Sequence, residues 1–175
     1  TIVAATANLR TNVYGNNQVQ AAGGAAVLAA PGLNSTVVGT MVVNGTLGST
    51  SIAVDVNSTA KANTDKINLA AATTGVVATA RTELSLTFGA AGAYNLTLLS
   101  DNVAPQAVSF SISSASTTDG LATAVSAIND QSSKTGITAS LNSSGTAVIL
   151  TTATGNDISV DDTAVANAAN VDVTK

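Results

Sequence analysis

The residue types that could carry acid–base or nucleophilic chemistry are few in this sequence, and two are missing. The 175 residues contain no cysteine and no histidine, which excludes thiol nucleophiles, histidine acid–base catalysis and Cys/His metal sites. Glu83 is the one glutamate, so little material exists for a catalytic carboxylate pair. Serine and threonine nucleophiles need a base, and the chain offers a single Ser-x-x-Lys sequence, at residues 58–61. We therefore expect no catalytic residue and no enzymatic activity.

The acidic residues near the C-terminus offer one candidate cation site. Asp157, Asp161 and Asp162 lie close together in the sequence, but their spacing does not match a calcium-binding EF-hand loop. A turn followed by a solvated acidic strand edge explains them better, because such charges discourage pairing between sheets. The glycine-rich stretches lack the Lys-Ser/Thr of a phosphate-binding loop. We expect no metal and no cofactor.

Charge and hydropathy disfavour two classes of partner. The formal net charge is −4, with six Lys and Arg against ten Asp and Glu, which argues against nucleic acid and anionic membranes. The most apolar run, residues 21–33, contains glycines and a proline and is too short to cross the roughly 30 Å of a bilayer core. No charged segment precedes an apolar one, as it would in a secretory signal peptide. Because the chain starts at Thr1, we interpret it as a fragment or a processed product.

Hydroxyl and amide side chains are unusually abundant. Serine and threonine number 44, whereas charged residues make up only 9% of the chain, a balance that fits an extracellular surface protein. Exposed hydroxyls in turns, such as those of Ser143 and Ser144, are candidate acceptors for O-linked sugars. Asn-x-Ser/Thr sequons also arise by chance in such a chain, and solvated turn residues are the simpler interpretation. These sequons begin at Asn34, Asn44, Asn57, Asn95 and Asn142.

The elements that must position these residues are short strands and two helices. Alternating or β-branched apolar residues predict strands over 36–43, 51–56 and 93–99, and Asn44-Gly45 after the first of them predicts a hairpin turn. A helix is predicted over about 58–72, with only a weak apolar stripe. Residues 76–88 are predicted to form one or two strands. The tail from residue 161 carries no clear pattern.

The second half of the chain repeats this order of elements. Val108, Phe110 and Ile112 alternate on a predicted strand, and Thr117 or Thr118 can cap a following helix. Leu121, Ala124, Val125 and Ile128 lie on one face of that helix, at i, i+3, i+4 and i+7. Strands are predicted after it, over 137–141, 146–152 and 158–160.

A 13-residue segment occurs twice. Residues 67–79 align without gaps with residues 128–140, sharing Ile-Asn, then Thr-Gly, then a β-branched residue, then alanine. In each copy we expect the isoleucine to anchor the last helical turn and the asparagine to satisfy carbonyls at the helix end. The glycine should provide a left-handed exit from the helix. The predicted repeat residues are Ile67, Asn68, Gly75, Ile128, Asn129 and Gly136.

These patterns predict an α+β fold built from two β–α–β–β repeat units. Each unit has a small antiparallel sheet covered by one helix, and a strand-rich segment connects the units. One unit alone would bury little apolar surface, so the two should pack together. The predicted divisions are an entry strand and irregular segment (1–41), a first unit (42–104), a second unit (105–162) and an exit segment (163–175).

The second copy resembles the IN repeat found in the variable outer region of bacterial flagellins. The resemblance runs from Ser116-Thr117-Thr118-Asp119 through Ile128-Asn129 to Thr135-Gly136-Ile137, and then to Gly155-Asn156-Asp157-Ile158. The first copy departs from it, since its helix carries Asn63 and Thr64 where the second has stripe residues. The resemblance covers roughly residues 42–160, and related repeats occur in flagellar cap and hook-associated proteins.

The resemblance implies a structural module rather than a catalyst. It implies the exposed variable domain of a flagellin, located outside the cell on the filament, with a role in motility and as a surface antigen. Its partners would be other flagellin subunits, through helical regions missing here, and O-linked glycans. As an insertion in a helical core, it should have Thr1 and Lys175 close together. The alternatives are a fragment of a cap or hook-associated protein and a surface adhesin domain, which an exposed aromatic pocket involving Tyr14 and Tyr94 would favour.

Overall fold

The computed structural model describes residues 34–174. Their fold is α+β, with small antiparallel sheets and few helices, as the sequence predicts. In chain order the elements are β1 (Gly39–Asn44), β2 (Ser49–Val54), α1 (Ala60–Leu69), α2 (Ala71–Thr74), β3 (Thr82–Phe88), β4 (Gly92–Leu99), β5 (Gln106–Ile112), α3 (Thr118–Asn129), α4 (Ser132–Thr135), β6 (Ile137–Leu141), β7 (Val148–Thr152), β8 (Ser159–Asp162) and β9 (Val171–Thr174).

The strands of the described residues form three antiparallel sheets. A two-stranded sheet pairs β1 with β2, a four-stranded sheet has the order β6-β7-β3-β9, and a three-stranded sheet has the order β5-β4-β8. Strands β3 and β4 follow the first helices in sequence, yet they pair with β7 and β8, which follow the second. Strands from both sides of residue 104 therefore share one core, and the division of the chain into repeat units stays a prediction.

The core lies between the two larger sheets and is formed largely by strands in which buried and more exposed residues alternate. Every second residue of β3, β4 and β5 is buried, because successive strand side chains point to opposite faces. Three aromatic rings, from Phe88, Tyr94 and Phe110, meet with centroids 4.9–5.9 Å apart. Tyr94 is completely buried, and its hydroxyl donates to the carbonyl of Ala90 at 2.7 Å. The aromatic residues thus fix how the two sheets meet.

Helix α3 packs against β5 and β6, the edge strands of the two larger sheets. It begins at Thr117, whose side chain accepts a hydrogen bond from the amide of Gly120, and Asp119 stands in its first turn, where the helix dipole favours negative charge. The predicted stripe faces the core, with Leu121, Ala124 and Ile128 buried and Val125 packed at its margin.

The first half of the described chain is less well packed. The predicted helix over 58–72 is observed as α1 and α2 with a break at Ala70, and α1 has no buried residue. The β1–β2 hairpin turns at residues 45–48, as Asn44-Gly45 predicts. Residues 76–81 form no strand, so the strand predicted over 76–88 begins only at Thr82.

The C-terminal tail contributes a strand that no sequence pattern predicted. Val171 and Val173 of β9 are buried, and β9 pairs with β3. The predictions made for residues 1–33, including a part for Tyr14 in an aromatic pocket, lie outside the described residues, as does the expected proximity of Thr1 and Lys175.

Candidate functional site

The candidate site is the turn that follows each main helix, because the sequence repeats it. We call residues 67–78 the first IN turn and residues 128–139 the second IN turn. In the second, the Asn129 side chain reaches across to Ala139: its Nδ2 donates to the Ala139 carbonyl at 2.9 Å, and its Oδ1 accepts from the Ala139 amide at 2.7 Å. Ala139 lies on β6, the edge strand of its sheet. Asn129 therefore supplies the hydrogen bonds that a neighbouring strand would give, rather than serving carbonyls of its own helix.

The exit from the second IN turn depends on a threonine and a glycine. The Thr135 hydroxyl donates to the Gln131 carbonyl at 3.0 Å and accepts from the Ile137 amide at 3.2 Å. Gly136 follows with a φ of 71°, a left-handed conformation in which glycine avoids the Cβ clash of other residues. A Cβ at this position would also collide with the Asp101 carboxylate. These bonds turn the chain directly from α4 into β6.

The first IN turn has the same hydrogen bonds at nearly the same distances. Asn68 bonds the carbonyl and amide of Ala78 at 3.0 and 2.8 Å. The Thr74 hydroxyl donates to the Ala70 carbonyl at 3.0 Å and accepts from the amide of the second residue after it at 3.2 Å. Gly75 has a φ of 75°. Both copies therefore build the same local structure.

A hairpin loop covers each turn, and the sequence did not indicate this contact. The amide of Leu47, between β1 and β2, donates to the Thr74 carbonyl at 3.2 Å, and the amide of Asp101, between β4 and β5, donates to the Thr135 carbonyl at 3.1 Å. The loop of the β1–β2 hairpin thus contacts the first IN turn in the same way as the loop of the β4–β5 hairpin contacts the second. The repeated Thr-Gly could have pointed to the two threonines. Leu47 and Asp101 lie outside the aligned segments, so the alignment could not show that they are equivalent.

The two copies differ in how much of the turn is buried. Ile128 is buried in the core, whereas Ile67 is only half-buried. Asn129 is half-buried and Asn68 exposed. The hydrogen bonds of the turn form in both settings, so the turn does not depend on a packed core beneath it.

The residues considered for metal binding or catalysis do not converge. Asp157 accepts from Asn34 at 2.6 Å and Asp162 from Asn167 at 2.7 Å, and residues 34–174 contain no group of three or more acidic side chains suited to holding a metal. The Ser58 hydroxyl bonds the Asn63 side chain, while Lys61 pairs with Asp65 at 2.6 Å. The lysine thus pairs with a carboxylate instead of the serine hydroxyl.

Several sequon asparagines serve local structure. The Asn34 side chain bonds two backbone carbonyls, and that of Asn142 accepts from the amides of two residues in the β6–β7 turn. Ser143 and Ser144 are exposed in that same turn. Tyr94 is buried, so it lines no exposed aromatic pocket.

Residues 106–154 match the family model described as the flagellin hook IN motif. The match confirms the resemblance of the second copy and supports a flagellin-type protein. No curated protein matches the chain.

Flagellins are structural, non-enzymatic proteins that polymerise with other flagellin subunits into the extracellular flagellar filament. The match therefore supports a flagellin-related structural component of the filament, with a place in motility. Among the helices between residues 34 and 174, none has the length and apolar character needed to cross a membrane.

Proposed function

We propose that this chain is the surface-exposed variable domain of a flagellin, displayed outward from the filament as a non-catalytic antigenic module. The duplicated IN turn carries the proposal, since two copies with the same hydrogen bonds accompany a core made from short local elements. The longest helix among the described residues, α3, has 12 residues. In flagellins, which the chain resembles, the coiled-coil segments that build the filament lie outside such a domain.

The sheet edges suit display beside many identical copies. An unpaired strand edge invites pairing with another chain, and filament subunits stand close to one another. Asn129 caps β6, an edge strand of the four-stranded sheet, at Ala139, and β8, an edge strand of the three-stranded sheet, carries Asp161 and Asp162. Helix α3 packs against β5, where Thr123 donates to the Ser111 carbonyl at 2.6 Å. These features disfavour pairing between neighbouring domains at three of the four outer strands of the two larger sheets, namely β5, β6 and β8.

An epitope tag placed in the native protein tests the proposal. The tag is inserted between Ser143 and Ser144, in the exposed β6–β7 turn, and intact flagella are labelled with gold-conjugated antibody for electron microscopy. We expect label along the whole filament. A matched insertion beside the exposed Val103 controls for local masking of one epitope. Absence of label from flagella with both insertions, in cells that produce the protein, refutes the proposal.

The same micrographs test the second candidate, a cap or hook-associated protein. The matching family model is that of a flagellin hook motif, which is the observation that favours this candidate. Label confined to the filament tip identifies a cap protein, and label confined to the hook–filament junction identifies a hook-associated one. The adhesin alternative has no comparable support, because the described residues present no exposed aromatic side chain.

Glycan display is part of the same proposal. Ser143 and Ser144 are accessible, and a sugar on either would project from the turn without disturbing the core. Intact-mass measurement of protein from native filaments, compared with a Ser143→Ala/Ser144→Ala variant, tests this. A mass equal to that of the unmodified chain excludes glycans at these positions.

A further inference from the structure

The small sheet of β1 and β2 leaves the outer edge of each strand without a partner strand among the described residues. The Gly45 amide donates to the Gly48 carbonyl at 2.9 Å, and hydrogen-bonded pairs alternate along an antiparallel ladder. In the observed register, this alternation directs the backbone groups of Ser51 and Ala53 away from β1. Lys66, which belongs to α1, supports this direction because its ammonium donates to the Ala53 carbonyl at 2.8 Å. Strand β2 therefore presents the amide and carbonyl of Ser51 at an open edge.

An apolar groove runs along this open edge. It lies between β2 and the end of α1, has a volume of about 360 Å³, and is lined by residues 50–53, Lys66, Leu69 and Ala70. Ile52 is buried, whereas Leu69 is 85% exposed. Unpaired backbone groups beside an apolar groove suit an added β-strand, because its backbone pairs with the edge and its alternate side chains enter the groove.

We propose that the open edge of β2 binds β1 of a second copy of this chain. Repeating the hairpin by translation keeps β1 of the second copy antiparallel to β2, as it is within one copy. Val42 of the second copy then lies opposite Ser51, and its neighbours Met41 and Val43 turn to the helix side, towards Leu69. Both neighbours are half-buried within their own copy, while Val42 is exposed. The contact joins two different surfaces, so each copy can bind a further one.

The absence of charge on the hairpin strands favours a second copy as the partner. The chain has a net charge of −4, but residues 39–44 and 49–54 contain no charged residue. Pairing these strands therefore brings no like charges face to face. The edge strand β8, by contrast, carries two aspartates, which discourage the same kind of contact.

The position of α1 is also compatible with this repeat. Both α1 and α2 pack against β2, so the added strand would complete the sheet beneath them. Two strands advance a sheet by about 9.6 Å, and helices pack with their axes about 8–10 Å apart. The α1 helices of successive copies would therefore lie side by side. Within one copy α1 has no buried residue, which leaves its surface available for this contact.

The area of the contact predicts a weak association. Strands of six residues bury far less surface than the roughly 1,200–2,000 Å² of a stable interface. We therefore expect a dissociation constant of about 1 mM, so the copies separate in dilute solution. The inference does not depend on the proposed flagellin function.

Amide hydrogen exchange of the unmodified chain, resolved by NMR spectroscopy, tests the pairing. At about 2 mM protein, half of the β2 edges should be occupied, so the Ser51 amide should exchange about twofold more slowly than in dilute protein. The Thr50 amide is the internal control, because it points towards β1 and should exchange at the same rate at both concentrations. A Ser51 rate that is the same at both concentrations overturns the proposal, whether the amide is exposed throughout or covered by a segment of the same chain.

Cross-linking identifies which edges meet. The chain has no cysteine, so Val42→Cys and Ser51→Cys chains each carry one thiol, and they are mixed at about 2 mM with a short bis-maleimide. We expect the product that joins the two variants to exceed its statistical share at least about threefold. Adding Leu69→Asp to the Ser51→Cys chain should abolish the excess, whereas Val103→Asp, at an exposed loop position, should preserve it. A statistical mixture, or an excess of the product joining two Ser51→Cys chains, overturns the proposal.

Discussion

Replacing Asn129 with alanine should destabilise the domain far more than replacing Asn68, although both side chains make the same two hydrogen bonds. Removing Asn129 leaves the amide and carbonyl of Ala139 without partners, and Ala139 is 8% exposed. At about 1 kcal/mol per lost bond, with water poorly placed to replace it, the expected loss is about 2 kcal/mol. Asn68 is exposed and Ala78 only half-buried, so water replaces the lost bonds and the expected cost is below about 1 kcal/mol.

Urea unfolding followed by far-ultraviolet circular dichroism measures this difference. For a urea dependence of about 2 kcal/mol per molar, Asn129→Ala should lower the midpoint by about 1 M. Asn68→Ala is the matched control, because it deletes the same atoms from the same local geometry. Equal midpoint shifts for the two variants would show that burial does not set the value of this hydrogen-bond pair, and the reasoning would fail.

Four further substitutions test local packing and helix capping, three in the second unit and one, Thr59→Ala, in the first. Gly120→Ala would stabilise an ordinary helix by about 1 kcal/mol, but here the new Cβ would lie 2.5 Å from the Ser114 carbonyl oxygen. Thermal unfolding should therefore show destabilisation of about 1–3 kcal/mol. A raised melting temperature would contradict this. Thr117→Ala and Thr59→Ala each remove a helix N-cap hydrogen bond and should destabilise their own helix by about 1 kcal/mol. Amide hydrogen exchange in the first turn of that helix measures the effect. An unchanged exchange rate would show that the cap does not stabilise the helix. Phe110→Ala opens the aromatic cluster and should cost about 3–5 kcal/mol in urea, and a loss below 1 kcal/mol would show that the core collapses around the gap.

The parts of the fold that could be predicted from the sequence are those in which one face of an element is buried. The alternation of Val108, Phe110 and Ile112 predicts β5, and the spacing of Leu121 and Ile128 predicts the buried face of α3. In both cases the apolar period is set by contact with a single core. The class of the fold, α+β, follows from such elements and is confirmed.

The pairing of strands could not be predicted in the same way. Strand β3 has the pattern of any half-buried strand, and nothing in it specifies that it pairs with β7 and β9. Strand β9 has only four residues, of which Val171 and Val173 are apolar, too few for a periodic signal. Residues 76–81 carry β-branched residues but pair with no strand among the described residues, whereas the equivalent residues 137–141 form β6 and pair with β7.

The two IN turns form the same hydrogen bonds, although only the second follows a helix with a buried face. The polar residues close the turn on itself, with the asparagine bonding the next segment and the threonine bonding both sides of the helix end. Such a set tolerates the loss of apolar neighbours, because its energy comes from local bonds rather than from buried area. The helix before the turn depends on packing instead, and α1 lacks the buried face that α3 has. The family match accordingly falls on residues 106–154, where turn and buried helix occur together, while the first copy retains the turn alone.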